Sequence, residues 1–252
     1  MNSNINEYIS ALKKYLPERK SSKLGRPKIP SNLILEELIK LFKFNLGWRN
    51  IKHKTLCYNY LKEIQRRGKL KSFFNLITLE LNSKKLSKTI IDSSDIVSYK
   101  TNNLVKYSGK YHNYCIKVSL EITTEYIPIN YSIDSGSKSD SLILDKMIST
   151  IDKLPYELYL DKGYEKYERR RELKRKNCQV RMESKKYAKS RKKGPGFKFT
   201  DNDRKIRGEI EKVFSWLKSF MILRLNRLRS KSIFTACFLI CLSAYTYYLL
   251  NL

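Results

Sequence analysis

The chain has 252 residues, of which 52 are Lys or Arg and 24 are Asp or Glu, giving a formal charge of +28. A hydrophobic share of 41% can fill a core, and the length suits one large domain or a domain with a small companion. So strong a positive field draws polyanions, nucleic acid first; five scattered cysteines without a CxxC pair, and only two histidines, argue against a disulfide framework or a Cys/His zinc site.

In chain order, residues 1–30 are charged and weakly patterned, with no apolar core of a signal peptide. They end in KLGRPKIP, where Gly25-Arg26-Pro27 resembles the centre of a minor-groove AT-hook or, more plainly, an extended linker. Ile34, Leu38 and Phe42 repeat at helical spacing and predict a helix over 32–46, closed by Gly47. A second helix, 53–66, carries Leu56, Tyr60 and Ile64 on one face and Lys62 and Arg66 off it. The pair reads as a helix-turn-helix-like module or an ordinary helical hairpin. A third helix follows over 70–82.

At residue 88 the pattern turns to strands: 87–92, 116–124 and 126–133, rich in β-branched residues. A helix is predicted over 139–152, a strand over 158–161, a charged helix over 164–176 and a short strand over 178–182. Residues 184–200 form a basic Pro/Gly-containing loop. A long helix spans 203–220. The uncharged segment 232–252 is long enough to cross a bilayer, but Thr235, Ser243, Thr246 and Asn251 interrupt it, and it reads as a buried core helix. The expected architecture is α/β, a mixed sheet flanked by helices, behind a small all-helical N-terminal module. The domains are 1–84 and 85–252.

Three acids stand out. Asp92 in TIIDSSD and Asp161 in LYLDKGY end or occupy strands, each following an apolar run, so each backbone is buried while the carboxylate emerges at an edge. On the long helix, a rotation of about 100° per residue puts Arg207, Glu211 and Lys218 on one stripe beside the core-facing Ile206, Ile210, Val213, Leu217 and Phe220. By periodicity alone, Arg207 and Glu211 are an ordinary i,i+4 pair. Carboxylates gathered from strand ends and a helix can also hold hard divalent cations. Asp95 is expected to face solvent, and Asp134 and Asp140 to form turns. Glu209 competes with Glu211 for the third position.

TIIDSSD, LYLDKGYEKYERR and RGEIEKVFSWLK together resemble the three motifs of insertion-sequence transposases of the Asp-Asp-Glu type, nearest to families four and five of bacterial and archaeal insertion sequences. In the third motif Arg-x3-Glu-x6-Lys falls on Arg207, Glu211 and Lys218. GKYHNYCIKVSLEI, SGSKSDS, GRPKIP and GWRNI add weaker matches. Arg204 stands where the family often has a tyrosine, and Asn113 where glycine is usual.

The resemblance implies an RNase H-like catalytic domain in which Asp92, Asp161 and Glu211 are catalytic and hold Mg²⁺, with Mn²⁺ substituting. It implies cleavage of element ends and their joining to target DNA by two-metal phosphodiester transfer. Arg207 and Lys218 would hold DNA near the scissile phosphate, and Arg204, Lys162, Arg169, Arg170, Lys110, Arg26, Arg49 and Arg66 are further candidate DNA contacts. The partners are double-stranded DNA (terminal inverted repeats and target) and a second copy in a homodimer; no membrane or small-molecule substrate is expected. The setting is the cytoplasm of a prokaryotic host, at the nucleoid. The alternatives are a structure-specific nuclease on the same fold and a non-catalytic DNA-binding protein descended from a transposase.

Overall fold

The computed structural model describes residues 2–16, 29–43, 50–97, 105–109, 112–151, 153–183, 198–225 and 231–250. Arg26, Arg49, Lys110 and most of the basic loop 184–200 lie outside the described residues. Packing divides the chain into two units, Met1–Ile77 with Ser98–Asn102 and Leu217–Leu252, and Thr78–Val97 with Asn103–Trp216. This division differs from a single cut at residue 84, because the C-terminal helix groups with the N-terminal ones.

The first unit contains α1 (Asn2–Tyr15), α2 (Ser31–Lys43), α3 (Lys54–Arg66), the start of α4 (Lys69–Ser83) and α8 (Lys231–Leu250). Helix α1 was not expected from the sequence. Its buried Tyr8, Ile9 and Leu12, with Leu16 just beyond it, follow a helical period that the surrounding polar residues dilute. In α2 the expected stripe is buried through Ile34, Leu35 and Leu38, and in α3 through Cys57, Tyr60, Leu61 and Ile64. Helix α8 packs against α1 and α3. By length and composition alone its Ser232–Leu250 stretch could cross a membrane. Here it is a core helix: Ile233, Phe234 and Ala236 to Leu242 are buried. Its hydroxyls are satisfied internally, Ser243 by Leu239 O at 2.6 Å and Thr246 by Leu242 O at 2.8 Å. The buried Tyr8 hydroxyl donates to Ile240 O at 3.0 Å, tying α1 to α8.

The second unit is built on a mixed sheet of β1 (Lys88–Val97), β2 (Lys106–Ser108), β3 (Asn113–Thr123), β4 (Pro128–Ser135), β5 (Glu157–Leu160) and β6 (Gln179–Arg181). Strand β3 pairs antiparallel with β1 on one side and with β4 and β2 on the other; β5 and β6 continue beyond β1 in parallel. All four residues of β5 are buried, as a parallel strand with neighbours on both sides requires. Helices α5 (Asp140–Ile148) and α6 (Tyr167–Arg175) supply a core with the sheet: Ile143, Leu144, Met147 and Leu173 meet Ile91, Leu158 and Leu160. This is the expected RNase H-like mixed sheet flanked by helices.

Four expectations shift. Helix α6 begins at Tyr167 rather than 164, because Lys162–Tyr164 form a short 3-10 turn capped by Asp161, whose carboxylate accepts from Gly163 N at 3.4 Å. Asp134 is not in a turn: it lies in β4, buried, and accepts from Lys138 at 2.8 Å and from Ser132. Asp95 does not face open solvent; it is half-buried and accepts from Ser108 Oγ at 3.1 Å. Asp140 opens α5, in the first turn where a negative charge suits the helix dipole.

Candidate active site

The parallel register of β1 and β5 ends with Ile91 opposite Leu160. One step further come Asp92, within β1, and Asp161, just past the end of β5, where the two strands run about 4.8 Å apart. Side chains alternate across a sheet. Ile91 and Leu160 face the α5/α6 core, so Asp92 emerges on the opposite face, while Asp161 opens the turn beyond β5. The sequence therefore sets the pair by two devices: apolar runs that fix the strands, and an acid placed one residue past each buried anchor.

The third carboxylate arrives on α7 (Asp201–Leu225), whose Ile210, Val213 and Phe214 are buried. Arg207 Nη1 donates to Glu211 Oε1 at 2.7 Å, and Nη2 donates to Asp92 Oδ2 at 2.8 Å. One guanidinium thus joins acids that lie far apart in the chain. Asp92 is 15% exposed and Glu211 is 65% exposed, so the site runs from a recessed to an open end. Glu209 turns elsewhere, pairing with Lys212 at 2.6 Å. Burial pushes the Asp92 carboxyl up to about 6 against the pull of Arg207, and the negative charges of Asp161 and Asp140 push the same way.

Asp140, read from the sequence as a turn former, lies close to Asp161. A Cβ placed on Gly163 would lie 3.5 Å from Oδ2 of Asp140 and 3.5 Å from Oδ2 of Asp161, so the two carboxylates border the same glycine. Lys117 Nζ holds the other oxygen of Asp140 at 2.9 Å and also donates to Lys138 O at 2.9 Å. The available signal was SGSKSDS, whose serine before the acid is the N-cap of α5.

The expected phosphate contacts divide. Lys162 is exposed beside Asp161. Arg204 is exposed and pairs with Asp201 at 2.7 Å. Arg170 is half-buried and donates to Met182 O at 2.9 Å. Arg169 cannot serve as placed: it is 5% exposed and its three nitrogens are bonded to Asp145, Tyr164 and Ser141. Arg66 is exposed and bonded to Glu63 at 3.1 Å. Lys218 lies on the part of α7 that groups with the first unit.

Among the described residues, no three His, Cys, Asp or Glu side chains form a ready-made metal cluster. The donors near Asp92 are carboxylate oxygens, the set that hard divalent cations take. Asp161 and Asp140 both raise the proton affinity of Asp92, so their crowded charge is of the kind a cation relieves. The residues present fit such an ion.

A family model for the transposase DDE domain matches residues 83–246. The chain belongs to that family. The matched DDE domain runs from the end of α4 through the sheet and into α8. In fold it is similar to a piggyBac transposase seen by cryo-EM in a synaptic complex with hairpin DNA, with a TM-score of 0.57 at 8% identity, over 97% of this chain and 73% of that one. No curated protein matches.

Proposed function

We propose that this DDE domain cuts the ends of an insertion element and joins them to target DNA. The observation that carries the reading is the guanidinium of Arg207 held by both Asp92 and Glu211, with Asp161 just past the end of β5, the strand paired with β1. Asp92, Asp161 and Glu211 would hold Mg²⁺ or Mn²⁺, which when bound supplies an activated water or 3′-hydroxyl and stabilises the leaving oxygen. The chain's own residues bind and orient. Lys162 and Arg204 offer exposed cations near the acids, and Arg207 can exchange its carboxylate partners for a phosphate. Asp92 lies recessed, while exposed Glu211 would leave its end of the site open to a duplex.

The helical residues of 1–84 would recognise terminal inverted repeats, with Arg26, Arg49 and Arg66 as contacts, and two copies would pair two ends. Lys110, Arg170 and Lys218 would contact the DNA backbone. By its three motifs the chain would fall nearest insertion-sequence families four and five, and its setting would be the nucleoid of a prokaryotic cell. Support for a DNA partner comes from the +28 charge and from the family.

The test is cleavage of end-containing DNA in Mg²⁺. Asp161→Asn is expected to lose more than about a hundredfold in rate; wild-type cleavage by that variant would sink the assignment. Pre-cleaved ends offered with target DNA test the joining step. Cutting without joining would make the protein a structure-specific nuclease, and binding without either would make it a non-catalytic descendant.

A further inference from the structure

We propose that Tyr164 is a positioning residue for the acidic site, tying the turn that carries Asp161 to the strand that carries Asp92 and, through Arg169, to the helix that opens with Asp140. The inference rests on the metal-holding reading of those acids. Tyr164 is 1% exposed and sits in the core formed with α5 and α6. Phenylalanine would fill the same volume there. The hydroxyl is the part that packing does not require, and a buried hydroxyl needs a partner. Its partner is Ser93 Oγ at 2.6 Å, and that oxygen is also 2.5 Å from Ser119 Oγ on β3.

Ser93 is the residue after Asp92, and its backbone N donates to Asp92 Oδ1 at 2.8 Å. The phenol is therefore fastened to the residue that orients the first acid. At the other end, Tyr164 N donates to Asp161 O at 3.0 Å, closing the turn of the second acid. The Tyr164 carbonyl accepts from Arg169 Nη1 at 2.8 Å. The same guanidinium donates from Nη2 to Ser141 O at 2.6 Å and to Ser141 Oγ at 2.9 Å, next to Asp140. Tyr164 thus sits in an unbroken series of hydrogen bonds linking the neighbours of Asp92, Asp161 and Asp140. Ligand groups must be held to within about 0.5 Å to work together, and contacts from behind the ligands supply that precision. Burial, then the charge of Asp92, keeps the phenol neutral and able to donate.

The experiment uses the 252-residue chain and Mn²⁺ as probe, with binding followed by electron paramagnetic resonance well below the melting temperature. Tyr164→Phe is expected to weaken Mn²⁺ binding by about tenfold. Ser93→Ala is expected to do the same, and the double variant to be no weaker than either single one, because both remove one shared link. A purely structural role would lower the melting temperature and leave Mn²⁺ affinity alone. Unchanged affinity in folded Tyr164→Phe, or losses that multiply in the double variant, overturn the proposal. Wild-type Mn²⁺ binding that Asp161→Asn fails to weaken would sink the metal reading itself, and this inference with it.

Discussion

Arg207 has two carboxylate partners, so its charge and that of an incoming divalent cation compete for Asp92 and Glu211. Arg207→Gln is expected to tighten Mn²⁺ binding several-fold without DNA while slowing DNA cleavage. Lys162→Gln is the control, since Lys162 is an exposed cation close by; equal tightening in both variants would reduce the effect to general charge. Glu121 gives a second prediction. It is buried on β3, accepts from Thr89 Oγ1 at 3.0 Å, and burial pushes its carboxyl from 4.5 up to about 7. A raised folded value means its contribution to stability is complete below about 4.5 and is lost as pH rises through about 7. The stability of wild type relative to Glu121→Gln should fall by on the order of 3 kcal/mol across that window, as read by urea unfolding at each pH. Residue roles were only partly legible in the sequence. The places of Asp92 and Asp161 beside the buried Ile91 and Leu160 could be read because each follows an apolar run. Arg169 was misread as a phosphate contact because a triple arginine looks solvated. Its place one turn before the buried Leu173 was the overlooked sign that it faces inward.

The sheet is held by close approaches that permit no side chain at one position. A Cβ on Gly136 would lie 2.3 Å from Cys115 Sγ, 2.6 Å from Cys115 O and 2.8 Å from Lys106 O, so the end of β4 meets β3 and β2 without room for a methyl group. Gly136→Ala is expected to destabilise the protein by about 1–3 kcal/mol, and thermal unfolding with intact Mg²⁺-dependent cleavage at low temperature would show that the damage is to the sheet edge rather than the acids. At this scale β3 was legible because its β-branched run and alternation mark it directly, whereas the three-residue β2 was not expected. Helix α1 was missed because its spaced apolar residues sit among polar ones and its partner, α8, is more than 200 residues away. The start of α6 was misjudged because Asp161 bonds Gly163 and diverts the chain through a 3-10 turn, a local side-chain event that periodicity does not register.

Over the whole molecule, the three acids are separated by 69 and 50 residues, yet β1 and β5 pair side by side and Arg207 of α7 bridges Asp92 and Glu211. The order of these acids along the chain was readable in the sequence; the pairing of β1 with β5 was not, because it depends on contacts between distant segments. The other long-range pairing, of α8 with α1 and α3, has a practical outcome. The matched DDE domain begins at residue 83, whereas α8 buries Ile240 and Leu242 in a unit that contains residues 8–74. A fragment trimmed to the matched boundary would expose an uncharged surface on its last helix. Such a fragment is expected to sediment with membranes or aggregate while the intact chain stays in the supernatant, a difference that centrifugation of both would reveal. An apparent membrane affinity seen with the trimmed protein would then be an artefact of removing the helices that cover α8.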